Sequence, residues 1–245
     1  MSVINFSEIK KFVINLTKRP DRLEKFRQEM EWIGWDFEIF PAIDSSSYIG
    51  CALSHQSIAK KCLELEGEFF MVLEDDICFM PYAKEQITKC EAELSLMDFD
   101  FFHFAPCFHR PVQNLTENLI NLHQLPEKNP ELHRGIYGTY CFILNKKSCH
   151  IISNWDTNVF IENSHRQKPI DEYMDLALYP NTKSFSSSLP IVTHTSGFSD
   201  VGNVEYNNHY TMIYNWNLYT PNKLNSDLFD FNWIERQKYH KANEN

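Results

Sequence analysis

The stretch "FFMVLEDDICF", Phe69 to Phe79, runs through five apolar residues, sets Glu74, Asp75 and Asp76 side by side, and then turns apolar again. A continuous apolar run with large side chains suits a strand buried on both faces, as in a parallel sheet covered by helices. Its acids then stand at the strand's end, against a hydrophobic core. Three adjacent carboxylates there repel one another and resist desolvation, so they need cations, hydrogen bonds or protonation. A divalent metal would meet that need. So would a turn that releases the acids to water or lets them cap the next element.

Upstream, "KKFVINL" reads as an opening strand, Phe12 to Leu16, and "RPDRLEKFRQEMEWIG" as a helix with Leu23, Phe26, Met30 and Ile33 on one face. Pro20 suits its first turn and Gly34 its end. A second strand is expected from Phe37 to Ala42, then a helix from Cys51 to Glu66 with the stripe Cys51, His55, Ile58, Cys62 and Leu65. The quoted stretch is the third strand. Downstream come a helix over 82–96, the strand "FDFFHFA", a polar connection over 108–134, the strand "YGTYCFIL" and a helix over 146–154. This alternation predicts an α/β fold, a mostly parallel central sheet with helices on both faces. Ligands of such sheets gather at the carboxyl ends of strands, here "NLTKRPDR" and "EDD". One domain over 1–222 is expected, followed by a polar segment over 223–245 that trails or docks.

The 245 residues are 43% hydrophobic, enough for a sizeable core, and 23 Lys and Arg against 33 Asp and Glu give a formal charge of −10. That balance argues against nucleic acid or an anionic membrane as partner. Neither a basic-then-apolar leader nor an 18-residue apolar run is found, so a soluble, unsecreted chain without a membrane span is expected. Seven cysteines form no CxxC pair. Reduced, mostly buried thiols in the cytoplasm follow. Seven glycines, with neither GxGxxG nor GxxxxGK[ST], argue against a dinucleotide site or P-loop. A bound nucleotide diphosphate would depend on a metal, a helix terminus or arginines. Carboxylate oxygens favour Mg or Mn over zinc.

"FVINLTKRPDRLEKF", "GCALSHQSI" and "FMVLEDDICF", in this order and spacing, resemble glycosyltransferase family 25, which includes lipopolysaccharide and collagen hydroxylysine galactosyltransferases. The similarity continues more weakly through "GTYCFILNKKSCHII", "PIDEYMD" and "SLPIVTHTSGFSDV", about residues 10–202. Enrichment in Asn, Lys, Ile and Phe suits an AT-rich genome such as that of a large DNA virus. The resemblance implies a GT-A fold of Rossmann-like, nucleotide-sugar type, a UDP-sugar donor, a divalent cation (Mn2+ or Mg2+) and inversion at the anomeric carbon. By position it implies Asp76 as direct metal ligand, Asp75 next and His194 completing the metal site. Glu74 and Asp75 would face the donor's ribose and diphosphate. Asn15, Leu16, Arg19, Arg22 and Ser54 match the donor-binding signatures, and Gly138 and Thr139 a strand that lets the sugar approach the backbone.

Each assignment has a plainer counterpart. Strand alternation puts Glu74 and Asp76 on one side and Asp75 on the other, so the three do not grip one ion together. Arg22, and less so Arg19, also reads as a solvated helix start; His194 also reads as structural, and His55, on an apolar stripe, first as a core residue. Inverting transfer needs a base for the acceptor hydroxyl, and "KPIDEYMDLALY" offers Asp171, Glu172 and Asp175. Helix-dipole pairing accounts for at least two of these. Asp171 is the expected base, with Glu172 and then Asp200 as alternatives. The expected activity is metal-dependent transfer of galactose or glucose from a UDP-sugar to a glycan or hydroxylysine hydroxyl, with homo-oligomerisation left open. The rivals are an inactive UDP-sugar or glycan-binding module and a nucleotidyltransferase, the latter without a triphosphate loop.

Overall fold

The computed structural model describes residues 4–45, 48–123, 135–156, 169–195, 197–199, 204–206 and 208–225. Strand β1 (Lys10–Asn15) is buried from Lys11 onward and leads into helix α1 (Pro20–Ile33), begun by a proline and closed by Gly34 at φ +82°, whose N–H donates to the Met30 and Glu31 carbonyls. Strand β2 (Glu38–Pro41), helix α2 (Tyr48–Glu64) and strand β3 (Phe69–Glu74) follow. The expected third strand is shorter than its apolar pattern. It stops at Glu74, Asp75 and Asp76 turn, and Ile77–Phe79 restarts as β4 outside the central sheet.

Next come α3 (Ala83–Leu94), β5 (Phe101–His103) and β6 (Cys107–Phe108). The polar connection holds β7 (Leu119–Asn121), and "YGTYCFIL" divides into β8 (Ile136–Tyr137) and β9 (Cys141–Asn145). Gly138, at φ +96°, makes that break. Helix α4 (Lys146–Ser153) is capped by the Asn145 side chain, which accepts the Ser148 N–H. Helix α5 (Ile170–Tyr173) widens into a π-helical turn over Met174–Leu178. Strands β10 (Ser184–Ser187), β11 (Val192–His194), β12 (Gly197–Ser199) and β13 (Val204–Tyr206) precede α6 (Asn208–Tyr219).

The central sheet has the order β2-β1-β3-β9-β5-β10-β7. β2, β1, β3, β5 and β10 run one way while β9 and β7 run against them, so the sheet is mostly parallel. From β1 the chain crosses to β2 on one side and then returns past β1 to β3 on the other. Right-handed crossovers in opposite directions place α1 and α2 on opposite faces. On the α2 face, Lys61 covers the Phe12 ring at 4.5 Å and Lys146 covers Phe70 at 4.9 Å. On the other, Trp35 meets Phe79 and Phe104 edge-on and Phe6 packs on Phe102 and Phe104. Aliphatic stems and aromatic rings thus close both layers. Among the described residues no helix is long and apolar enough to cross a membrane. Of the expected tail, residues 223–225 hold to α6, Leu224 donating its N–H to Asn217 and Lys223 its ammonium to the Asn217 and Thr220 carbonyls; the rest lies outside the described residues.

Candidate functional site

Parallel pairing of β1 with β3 sets Ile14 beside Glu74, so the two strands end together and Asn15 reaches the acids. Its side-chain amide donates to Asp75 Oδ2 at 2.6 Å and to the Arg19 carbonyl at 3.2 Å. Arg22, at the start of α1, places Nη1 3.2 Å from Asp75 Oδ1 and 3.0 Å from Asp76 Oδ2. Burial pushes the Asp75 carboxyl up to about 6, with the Asp76 charge adding to it, against the pull of Asn15 and Arg22. Arg19, expected to be the nearer arginine, instead holds Asp21 through Nε at 3.0 Å and Nη2 at 2.9 Å. Leu16 serves the turn, its carbonyl accepting the Arg19 N–H at 2.7 Å.

Asp76 meets a remote part of the chain. β4 pairs antiparallel with β11, His194 opposite Ile77, and the Thr195 N–H donates to the Asp76 carbonyl at 2.7 Å. His194 Nδ1 then stands 3.2 Å from Asp76 Oδ1. Both atoms are buried, and beyond each other neither has a hydrogen-bond partner among the described residues. Burial would raise the Asp76 carboxyl, but His194 and Arg22 outweigh it and bring it down to about 2. A carboxylate oxygen and an imidazole nitrogen, buried, converging and otherwise unsatisfied, fit the donor set of a divalent cation such as Mn2+ or Mg2+. Asp75 fits less directly, since both its oxygens are bound by Asn15 and Arg22.

Glu74 looks the other way, toward α2. Its Oε1 meets His55 Nε2 at 3.1 Å, accepts the Thr139 hydroxyl, and lies 4.0 Å from the Cys51 thiol. Burial would raise this carboxyl too, but His55 holds it low. The alternation that would pair Glu74 with Asp76 therefore fails: the strand ends at Glu74, and the turn brings Asp75 and Asp76 to the same arginine. His55 is 2% exposed, with its ring 5.6 Å from Phe142, and is at once a core residue and the partner of an acid. Ser54 is fully buried, accepting the Ile43 N–H at 2.8 Å and donating to the Gly50 carbonyl at 2.7 Å. Its hydroxyl fastens the loop after β2 to α2.

Because β9 runs antiparallel, its entry segment, Gly138 to Tyr140, lies at the same sheet edge as the ends of β1 and β3. The Gly138 N–H donates to Asp171 Oδ2 at 3.2 Å and its carbonyl accepts His103 Nε2 at 3.0 Å. His103 is kept neutral: its Nδ1 accepts the Ala105 N–H, and burial takes it down to about 4. Asp171 Oδ1 accepts the Glu172 N–H at 2.9 Å, and burial raises its carboxyl. Tyr140 leans edge-on against His194 with ring centroids 3.6 Å apart. Asp171, His194, Tyr140, Gly138 and Thr139 line one cavity of about 280 Å³, which Glu172 does not line. Asp175 is turned inward to an ion pair with Arg110 at 2.9 Å, and Asp200 lies outside the described residues. His103, Tyr140 and Arg110 escape the sequence reading. For His103 a signal was present, one polar residue inside the apolar strand "FDFFHFA".

The family model of glycosyltransferase family 25 (LPS biosynthesis protein) matches residues 45–174. The chain is 31% identical over 107 residues to a glycosyltransferase 25 family member of Aedes aegypti, covering 32% of this chain and 18% of that protein. It is 32% identical over 108 residues to a protein named glycosyltransferase R655 of Acanthamoeba polyphaga mimivirus, covering 33% and 32%. It thus spans under a third of the length of these relatives. A solved glycosyltransferase involved in glycosylation of the major capsid of PBCV-1 aligns over 73% of this chain and 92% of its own, with a TM-score of 0.34 and 14% identity.

Proposed function

The chain belongs to glycosyltransferase family 25, and from that premise we propose a metal-dependent, inverting transferase that moves galactose or glucose from a UDP-sugar to a hydroxyl of a glycan or hydroxylysine. The observation that carries the reading is the buried pair of Asp76 Oδ1 and His194 Nδ1, 3.2 Å apart and without other hydrogen-bond partners among the described residues, on the rim of the cavity that holds Asp171. Bound at Asp76 and His194, with Asp75 adjoining, Mn2+ or Mg2+ supplies charge neutralisation for a departing diphosphate. Arg22, already against both acids, adds a fixed positive charge beside it. Asp171 takes the acceptor hydroxyl's proton. Burial makes its carboxylate a stronger base than an exposed one, and two backbone N–H groups fix its orientation. Seven cysteines without a disulfide support a reducing compartment, the cytoplasm or, for a viral chain, the host's.

Calorimetry of UDP binding to metal-free protein, with and without Mn2+, tests the reading. UDP should bind tightly only with the ion, Asp76→Asn should weaken it most, and UDP-galactose or UDP-glucose should bind in preference to GDP-mannose. Equal UDP affinity in both conditions would remove the metal from the reading. A response to GDP-mannose alone would remove the uridine donor.

A further inference from the structure

Cys51 and His55 stand one turn apart on α2, so their side chains lie on one face of the helix. That face meets the end of β3, where Glu74 supplies an acid. Cys51 Sγ, His55 Nε2 and Glu74 Oε1 all lie within 4.8 Å of one another, with 3.1 Å between His55 and Glu74 and 4.0 Å between Cys51 and Glu74. A tetrahedral zinc ion with ligands at about 2.0–2.3 Å sets its donor atoms about 3.3–3.8 Å apart. His55 and Glu74 already stand near that spacing, and an inward swing of the Cys51 thiol by up to about 1 Å brings it to the same range.

We propose that Cys51, His55 and Glu74 form a second cation site, selective for a Zn2+-class ion and separate from the Asp76–His194 pair. Sulfur, nitrogen and oxygen donors together suit a borderline-soft ion, whereas Mn2+ and Mg2+ favour oxygen-rich sets. Three protein ligands leave the fourth position to water, as in open zinc sites. Cys51 and Glu74 are half-buried and His55 is buried, so the site is anchored on the core. On binding, the Cys51 S–H bond breaks, a sulfur–ion bond forms, and the proton passes to buffer. His55 coordinates through Nε2 with its ring proton on Nδ1, an atom that has no hydrogen-bond partner among the described residues. A cysteine thiol is protonated at neutral pH and binds as the thiolate, so each ion bound releases about one proton.

The test titrates metal-free protein with Zn2+ by calorimetry in two buffers of different ionisation enthalpy, and with Cd2+ while following thiolate-to-metal absorption in the ultraviolet. The expected result is one thiolate-bound ion and about one proton released. Cys51→Ser and Cys51→Ala should abolish the absorption and weaken Zn2+ at least tenfold, His55→Gln should weaken it similarly, and His194→Ala should retain the band. Absence of the band in the native protein, its persistence in either folded Cys51 variant, or its loss in folded His194→Ala overturns the site. None of these readouts involves sugar transfer, so failure here leaves the proposed activity standing, and failure of that activity leaves this site standing.

Discussion

Asp75 and Asp76 adjoin in sequence and share one arginine, yet their carboxyls shift in opposite directions. Asp75 is raised from the ordinary 3.8 to about 6, so between those values the folded protein holds more protons than the unfolded chain. Its charged form therefore opposes folding, and stability falls as pH rises through that window. Asp76 is lowered to about 2, so its contribution is present above the ordinary value and is lost as pH falls toward 2. Asp75→Asn, which keeps an oxygen for Asn15, should stabilise EDTA-treated protein at pH 7.5 by about 1–3 kcal/mol and lose that advantage near pH 4. Thermal unfolding across pH checks this; a constant difference at every pH would show that the effect is not Asp75's titration. The two site histidines should also separate. His194→Ala should weaken Mn2+ at least tenfold in the folded protein, because it removes one of the two converging donor atoms, whereas His55→Ala should leave Mn2+ affinity within a few-fold of native. His55→Ala should lower stability by about 2–4 kcal/mol, because it removes a buried ring and the partner of Glu74. Metal titration and denaturant unfolding on both variants distinguish the two roles.

One glycine, Gly138, divides β8 from β9 and governs the cavity wall. A Cβ there would lie 2.5 Å from Tyr140 Cζ, on a backbone whose φ of +96° already disfavours any side chain. The same residue holds Asp171 through its N–H and His103 through its carbonyl. Gly138→Ala should therefore cost about 1–3 kcal/mol of stability and lower transfer at least tenfold, through displaced Tyr140 and Asp171 rather than lost chemistry. Full activity in a folded Gly138→Ala protein would show that this turn does not set the geometry. Gly50 plays a packing part in α2. Its Cβ would fall 2.4 Å from the Ile43 carbonyl, which is why "GCALSH" begins with glycine where the helix crosses the loop after β2.

Across the molecule, the site gathers where β1 and β3 end, where antiparallel β9 begins, and where β4 meets β11. Asp171 enters this convergence from α5 and touches backbone N–H groups rather than the Asp76–His194 pair. Asp171→Asn should accordingly reduce transfer by about 10³-fold or more while UDP-sugar and Mn2+ affinity stay within a few-fold of native. Parallel turnover and binding measurements on Asp171→Asn and Glu172→Gln test the assignment. Near-native turnover in Asp171→Asn rejects it, and a loss confined to Glu172→Gln moves the base one residue along.

What was legible in the amino-acid order was local. An apolar run ending in acids announced a buried strand and a charged strand end, a proline and a glycine bounded α1, and the motif order carried the family. Alternation of strands and helices was enough for a mostly parallel sheet, because crossover handedness leaves few ways to build one. The motif resemblance named Asp76 and His194 together, but only the tertiary structure sets their side chains 3.2 Å apart, since β4 and β11 are distant in sequence and meet through pairing that no local pattern encodes. It also decided that Arg22 reaches Asp75 and Asp76 while Arg19 holds Asp21, since the turn into α1 sets which acid each arginine meets, and that Ser54 is fastened to Ile43 and Gly50. The partners of His103 and Arg110 stayed hidden for the same reason. Each residue has its meaning from a partner brought close by the fold, Gly138 for one and Asp175 for the other.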